Sequence, residues 1–386
     1  MLIGVVGAPN KGKSTFFSAA TRVDAEIANY PFTTITPNRG ITYVRSPCPH
    51  VSLGLPSCNA KNSKCANGVR LVPIGMIDVP GLVPDAHKGK GLGNKFLDSI
   101  READALIQVV DATGKTDLQG NPSDSSPPIE EIDFLQHEIA YWLAGIMMRS
   151  KTKPSITLQE LATALSGLKI SSDMLQKAAE DCGLDIREGL PDEEGTVRLA
   201  EALLPRRVPT IVACNKIDVP GARLQFDKIK AVRQKDTFAC SAAVELALRK
   251  ASEAGLVDYY PGAKGFRIIG NPTQKQKEAL EGMQKLLSEN SGTGVQEAID
   301  CAVYQHLKGI VVYPVEDEHK CTNNKGEVLP DAYLVPRGTT ALQLAAMVHT
   351  DLAKKFIGAI DVKKRIRVGA DHTLADGDVI KIIAGR

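Results

Sequence analysis

A glycine-rich run near the start of the chain has the pattern of a phosphate-binding loop. It matches G-x-x-x-x-G-K-S and reads Gly7-Ala8-Pro9-Asn10-Lys11-Gly12-Lys13-Ser14. Glycines allow backbone N–H groups to turn inward around phosphate oxygens. In this pattern Lys13 supplies positive charge to the β- and γ-phosphates, and the Ser14 hydroxyl can bind Mg²⁺. We expect phosphate contacts from Gly7, Ala8, Pro9, Asn10, Lys11, Gly12, Lys13, Ser14 and Thr15.

A second short motif follows an apolar run and ends in Asp78-Val79-Pro80-Gly81. An aspartate at the end of a strand can reach Mg²⁺, usually through water, and the Gly81 N–H can contact a γ-phosphate. The D-x-x-G pattern is weak by itself, but its position after a phosphate loop strengthens it. One of the loop threonines Thr33 and Thr34 should also coordinate Mg²⁺ when a γ-phosphate is bound.

A third motif, Asn215-Lys216-Ile217-Asp218, follows another apolar run and matches N-K-x-D. A carboxylate at its last position can accept two hydrogen bonds from guanine, which adenine cannot offer. Such a matched pair discriminates strongly, because the wrong base leaves the acid unpaired. A further strand end at Ser241-Ala242 is a place where backbone groups meet the base. We therefore assign guanine recognition to Asn215, Lys216, Asp218, Ser241 and Ala242.

Composition limits the classes of protein that need to be considered. The chain has 386 residues with a formal net charge of +2 and 43% hydrophobic residues, so general disorder and a global polycation are excluded. No apolar run approaches the roughly 20 residues of a membrane span, and the first residues lack the pattern of a signal peptide. Eight cysteines are too few for a disulfide scaffold of this length, so we expect a cytoplasmic protein and no membrane partner.

The elements that must position these motifs are short buried strands. Apolar runs at 2–6, 71–77, 105–110 and 210–214 each end at or beside a polar motif. Strands of this kind alternating with helices are typical of an α/β doubly wound sheet. A helix is expected to begin at Ser14 and to direct its dipole at the bound phosphate.

About a hundred residues separate the strand at 105–110 from the next one, which is far more than a simple connection needs. Apolar residues recur at helical spacing after the Ser/Pro-rich break at 122–128. Thr157 and Ser171 have the character of N-caps, and a last helical piece at 199–204 is expected to end at Pro205. We interpret residues 114–205 as a helical arm inserted between residues 1–113 and 206–308.

Short strands replace helices near residue 309. Strands are predicted at 310–315, 366–368 and 379–383, and Thr340 is predicted to cap a helix that extends to about His349. Basic residues at 354–355 and 363–367 could contact RNA phosphates. A charge run is more often a solvated face, and no aromatic platform for stacking bases is visible.

Together these motifs resemble the archaeal YchF-type members of the Obg-like GTPases, over nearly the whole chain. The match is carried by the runs 29–38, 78–83 and 89–97, and by 336–340 and 374–379 near the C-terminus. The resemblance implies a P-loop G domain (1–113 and 206–308) with the helical insertion and a C-terminal β-grasp TGS domain (309–386). It selects Thr34 for Mg²⁺, beside Ser14 and Asp78. It also implies GTP and GDP as ligands and a ribosomal or RNA partner for the TGS domain and the arm.

The resemblance raises two questions about hydrolysis. Leu82 stands where many small GTPases have a water-orienting glutamine, so hydrolysis should be slow, and His87 is the candidate for the missing polar group. Asn10 is a candidate K⁺ ligand, because a monovalent cation near the β–γ bridge would neutralise developing charge. YchF relatives outside the archaeal group often have Asn-x-x-Glu and use ATP. Asp218 favours GTP here, with an ATPase or a nucleotide-gated binding module of negligible turnover as alternatives.

Four metal-binding residue types lie in the Pro/Gly-rich stretch before the strand at 71–77. These are Cys48, His50, Cys58 and Cys65, which together could ligate Zn²⁺. Their spacing is irregular and contains no C-x-x-C pair. Free thiols are therefore the favoured interpretation, and zinc is not expected as a cofactor.

Overall fold

The apolar runs that precede the polar motifs form strands in the computed structural model. The structure describes residues 1–22, 38–81, 99–124, 126–150, 156–186 and 189–385. The first half contains β1 (Leu2–Val6), α1 (Lys13–Ala20), β2 (Arg39–Pro47), α2 (Pro49–Ser52), β3 (Lys64–Ala66), β4 (Val69–Asp78), β5 (Ala105–Asp111), α3 (Pro128–Ser150), α4 (Leu158–Ala164), α5 (Ser172–Cys182) and α6 (Glu193–Arg207).

The second half begins with the remaining strands of the same α/β pattern and ends in a β-rich module. It contains β6 (Thr210–Asn215), α7 (Ala222–Val232), β7 (Thr237–Ala239), α8 (Ala242–Glu253), β8 (Val257–Asp258), β9 (Arg267–Ile268), α9 (Gln274–Asn290), α10 (Val295–Asp300), β10 (Gly309–Val315), β11 (Tyr333–Pro336), α11 (Ala341–Val348), α12 (Thr350–Lys354), β12 (Phe356–Asp361), β13 (Ile366–Val368) and β14 (Val379–Ala384). A π-helical turn, Cys301–His306, follows α10.

The chain divides into two compact units. The first comprises residues 1–20 and 76–298, and the second comprises 21–75 and 299–386. This division differs from the predicted one, because residues 21–75 group with the C-terminal part instead of with the remainder of the predicted G domain. The physical reason is a set of main-chain hydrogen bonds within the second unit. Asn59 N–H donates to the Val328 carbonyl and Lys61 N–H to the Pro330 carbonyl, both at 2.8 Å.

The sheet of the first unit brings the ends of its strands to one edge. Its strand order is the end of β4, then β1, β5, β6 and β7. Strands β1, β5, β6 and β7 are parallel, with Ile3 opposite Ala105 and Leu106 opposite Thr210. The polar motifs that follow these strands therefore lie at the same sheet edge, where α/β proteins bind ligands.

The helical insertion has a core of its own inside the first unit. Buried residues of α3 to α6, among them Leu143, Leu175 and Leu199, form one apolar cluster. Thr157 caps α4 with a complete capping box, and Ser171 caps α5, which confirms both predicted N-caps. The predicted helix end at Pro205 is wrong, because α6 continues through this proline to Arg207.

The second unit contains a five-stranded sheet with the order β11-β10-β14-β12-β13. Strands β10 and β14 are parallel, whereas the other neighbouring pairs are antiparallel. The helix capped by Thr340 packs on this sheet through Ala341 and Leu344, which confirms that predicted helix. None of the described helices combines the length and the apolar composition that a bilayer crossing requires.

Candidate nucleotide-binding site

The phosphate loop forms the connection from β1 to α1 that its sequence predicts. Gly7 has φ of +151° and Gly12 has φ of +89°, values that side chains disfavour. A β-carbon at Gly7 would lie 2.4 Å from the Val109 carbonyl oxygen, so this position also requires glycine for space. Lys13, Ser14 and Thr15 occupy the first turn of α1, where helix N–H groups favour an anion.

Asn215 links the phosphate loop to the loop that follows β7. Its side-chain amide donates to the Lys11 carbonyl at 3.0 Å, and its side-chain oxygen accepts from the Ala242 N–H at 3.0 Å. The side chain is 3% exposed, so both hydrogen bonds are protected from water. The first residue of the N-K-x-D motif therefore holds two loops in register.

Lys216 reaches from the same motif towards the phosphate loop. Its ammonium group donates to the Asn10 carbonyl at 3.1 Å and to the Asp111 carboxylate at 2.7 Å. Burial acts to raise the pKa of Asp111, but Lys216 and the hydroxyls of Thr113 and Thr116 hold that pKa below its usual value. Asp111 is therefore an ionised anchor for Lys216.

Asp218 and Ser241 lie together where the base of a nucleotide is expected. The Ser241 hydroxyl donates to the Asp218 carboxylate at 2.5 Å and also accepts from the Val244 N–H as the N-cap of α8. Ser241 is fully buried, whereas Asp218 is exposed. One carboxylate oxygen is thus oriented by the protein while the acid stays accessible to a ligand.

Ser14 and Asp78 are the predicted Mg²⁺ ligands that the structure describes. Asp78 lies at the end of β4 with its carboxylate 3.9 Å from the Lys13 ammonium group. Its Oδ1 atom is buried and has no hydrogen-bond partner among the described residues. Burial raises the pKa of Asp78, and Lys13 opposes this rise. A buried carboxylate oxygen with no hydrogen bond fits a hard cation such as Mg²⁺, and the exposed Ser14 hydroxyl, next to Lys13 in sequence, is the second predicted ligand.

Of the other predicted site residues, the structure describes Gly81 and Asn10. Gly81 lies against the phosphate loop, since a β-carbon there would be 3.5 Å from the Pro9 nitrogen. The Asn10 amide donates to the Gly120 carbonyl at 2.9 Å, which fixes the orientation of the side chain whose oxygen is the predicted K⁺ ligand. Thr34, Leu82 and His87 lie outside the described residues.

Sequence reasoning missed the contacts behind the phosphate loop. The Lys11 ammonium group lies 3.0 Å from the Glu131 carboxylate and donates to the Thr116 carbonyl at 2.8 Å. Burial raises the pKa of Glu131 to about 7, although Lys11 opposes the rise. The motif leaves the residue type at Lys11 free, so the only available signal was an acid at 131 next to the apolar stripe of α3.

Family models match three parts of the chain. A 50S ribosome-binding GTPase model matches residues 2–148, and a TGS domain model matches residues 321–384. A model described as an Obg-like GTPase YGR210-like, G4 motif-containing domain matches residues 213–317. The fold, the three motifs and these matches define a P-loop GTPase with a C-terminal TGS domain.

Several relatives match this chain over nearly its full length. The chain is 46% identical to an uncharacterized GTP-binding protein of Methanocaldococcus jannaschii, with 99% of each chain covered. It is 28% identical to the ribosome-binding ATPase YchF of Haemophilus influenzae, covering 98% of this chain and 97% of that one. A GTP-binding protein crystal structure from Pyrococcus horikoshii matches with TM-score 0.74 and 36% identity over 100% of both chains. The chain belongs to the YchF-type family of Obg-like GTPases.

Proposed function

We propose that the chain is a Mg²⁺-dependent GTPase that hydrolyses GTP slowly and switches between GTP- and GDP-bound states. The observation that carries this proposal is the 2.5 Å hydrogen bond from Ser241 to Asp218. It orients one carboxylate oxygen and leaves the acid accessible for the guanine N1–H and amine. Adenine offers no such pair of donors, so the site favours GTP.

In the proposed cycle Mg²⁺ is held by Ser14, Asp78 and Thr34. When bound, the ion would neutralise negative charge on the β- and γ-phosphates. Lys13 would contact the same phosphates, and the Gly81 N–H would contact the γ-phosphate. Loss of that phosphate would release the segments that carry Thr34 and Gly81, which is the switch. Leu82 cannot orient water, and this is the reason to expect slow turnover, with His87 or a K⁺ ion near Asn10 as the assisting group.

We further propose that the chain acts in the cytoplasm and binds ribosomes or RNA through the TGS domain and the helical arm. The Haemophilus influenzae relative is named a ribosome-binding ATPase. Exposed basic residues at 363–365 and Arg367 lie around β13 of the TGS sheet, where they could contact RNA phosphates.

A titration of both nucleotides tests the base preference. Calorimetry of the purified chain in magnesium buffer should give tighter binding of GTP than of ATP. Asp218→Asn should weaken GTP binding by at least about 100-fold, since two hydrogen bonds to a charged group are lost. The exposed Asp227→Asn on α7 is the matched control and should leave affinity unchanged. No measurable binding of GTP would overturn the proposal.

An ATPase is the second candidate, because several full-length relatives carry that name. Equal or tighter binding of ATP, unaffected by Asp218→Asn, would favour it. A nucleotide-gated binding module with negligible turnover is the alternative that Leu82 suggests. Steady-state phosphate release, with and without ribosomes and K⁺, separates this module from a slow GTPase.

A further inference from the structure

The second unit gathers four metal-binding side chains that are scattered in the sequence. The ligand atoms of Cys48, His50, Cys58 and Cys65 all lie within 4.8 Å of one another. The Cys48 and Cys58 sulfurs are 3.7 Å apart, and the Cys65 sulfur is 3.8 Å from His50 Nδ1. All three cysteines are free thiols, and 3.7 Å is far longer than a disulfide bond.

These separations match the edges of a tetrahedral zinc site. With zinc–sulfur and zinc–nitrogen bonds of about 2.3 and 2.0 Å, tetrahedral geometry places two sulfurs about 3.8 Å apart. The same geometry places a sulfur and a nitrogen about 3.5 Å apart. We propose that Cys48, His50, Cys58 and Cys65 bind one structural Zn²⁺ ion, independently of the nucleotide site.

Regular elements on both sides of the loop hold the donors in place. Cys48 precedes α2, which carries His50, and the Cys48 N–H donates to the Gly68 carbonyl at 2.8 Å. Cys65 lies in β3, where it is opposite Arg70 of β4. Cys58 comes from the loop between them. The irregular spacing is therefore no obstacle, since a hairpin and a helical turn return the chain to the same point.

A buried arginine beside the sulfurs supplies the charge that such a site needs. Arg70 is 0% exposed, and its guanidinium lies 3.2 Å from the Cys58 sulfur and 3.8 Å from the Cys48 sulfur. A zinc ion with three thiolates and a neutral imidazole has a formal charge of −1. The positive charge of Arg70 compensates it, and the N–H groups point at thiolate sulfurs as an outer shell of ligands does.

The remaining hydrogen-bond partners of Arg70 are neutral, and the acid that feels its charge, Asp331, makes no ion pair with it among the described residues. Its other N–H groups donate to the Ser63 hydroxyl at 2.8 Å and to the Leu329 and Pro330 carbonyls at 2.5 and 3.1 Å. No carboxylate of the described residues lies within ion-pair distance of it. A buried cation is costly without an anion in direct contact, and zinc-bound thiolates at 3.2 and 3.8 Å provide that contact.

The ion would serve as a staple for residues 48–66. Four protein ligands close the coordination sphere, which is typical of structural and not of catalytic zinc. The same segment is anchored beyond the metal site by Asn62, whose amide donates to the Ala332 carbonyl at 3.0 Å. Zinc would hold the loop in the conformation that makes these contacts with 328–332.

Metal analysis of the full chain, purified under reducing conditions from zinc-supplemented cells, tests the proposal. We expect elemental mass spectrometry to find about one zinc ion per chain. Cys58→Ser and Cys65→Ser should lose it, whereas Cys182→Ser, at the end of α5 in the other unit, should keep it. Arg70→Gln should lower zinc affinity by about 10- to 100-fold.

A second measurement avoids reliance on variants that could misfold. Co²⁺ titrated into the chelator-treated, unaltered chain should give the intense visible bands of a tetrahedral thiolate site, and Zn²⁺ should bleach them. A metal-free chain with a Cys48–Cys58 disulfide, or Co²⁺ spectra without thiolate bands, would overturn the proposal. So would zinc that survives both cysteine variants.

Discussion

The Lys11 ammonium group lies 3.0 Å from the Glu131 carboxylate, and the two side chains are only 1% and 4% exposed. Lys11 belongs to the phosphate loop, whereas Glu131 lies in the first turn of α3, the first helix of the insertion. The pair therefore joins the nucleotide site to the base of the arm through two charges removed from water.

Lys11→Met should destabilise the protein in a pH-dependent way. At pH 8 the variant leaves Glu131 buried without its cation, and we expect the free energy of unfolding to fall by about 3–5 kcal/mol. At pH 5 the carboxyl is protonated and the loss should be smaller. Urea unfolding followed by circular dichroism measures both values. Lys177→Met, from an exposed ion pair on α5, is the control and should change little. Equal losses at the two pH values would contradict this interpretation.

Glu131 itself should make stability depend on pH. Burial raises its pKa from 4.5 to about 7 in the folded chain, against the opposing effect of Lys11. The folded-state pKa is above the unfolded one, so the contribution is fully present below pH 4.5 and is lost as pH rises through about 7. The free energy of unfolding of the native chain, minus that of Glu131→Gln, should therefore decrease as pH rises from 4.5 through about 7. A difference that stays constant with pH would refute the assignment.

Asn215→Ala should weaken binding of every nucleotide without changing the preference for a base. The substitution leaves the Lys11 carbonyl and the Ala242 N–H without their buried partner. A cost of about 1–3 kcal/mol corresponds to a loss in affinity of roughly 5- to 150-fold. Calorimetry with GTP and with ATP should show proportionate losses. Asn323→Ala, in a TGS-domain turn, is the control. A loss confined to GTP would mean that Asn215 reads the base and does not brace the loops.

Asp78→Asn should weaken the binding of magnesium to the nucleotide complex. The amide keeps the shape of the side chain but cannot offer two anionic oxygens to the ion. We expect the Mg²⁺ affinity of the GTP complex to fall by at least about tenfold, or about 1.4 kcal/mol. Chelator titration of the preformed complex measures this affinity, with the exposed Asp173→Asn as control. Unchanged affinity would exclude Asp78 from the metal site.

Leu143→Ala should destabilise the helical insertion and leave the nucleotide site intact. Leu143 is 1% exposed in the apolar cluster of the insertion. We expect a loss of about 2–5 kcal/mol from the removed contacts and the cavity. The half-buried Leu158→Ala, at the edge of the same cluster, should cost less. Thermal unfolding and GTP affinity should be measured on the same samples. A matching loss of GTP affinity would show that the arm and the site are coupled.

The local sequence predicted most of the elements that carry the motifs. The strand at 2–6 and the strand at 366–368 have the predicted bounds, and the caps at Thr157, Ser171 and Thr340 are in place. These features depend on neighbours a few residues apart, such as a hydroxyl and the N–H groups of the following turn. Strands β11 and β12 were not predicted, since their pairing with β10 and β14 depends on distant residues.

The sequence by itself determined the phosphate loop, the N-K-x-D motif and the strand ends that present them. Glycines, polar capping residues and apolar runs each determine the backbone conformation within a few positions along the chain. The tertiary structure alone decided that Lys11 meets Glu131, that residues 21–75 group with the C-terminal module, and that three cysteines and a histidine converge beside Arg70. Those outcomes depend on strand pairing and on packing between distant segments. Neither can be predicted from the spacing of residues along the chain.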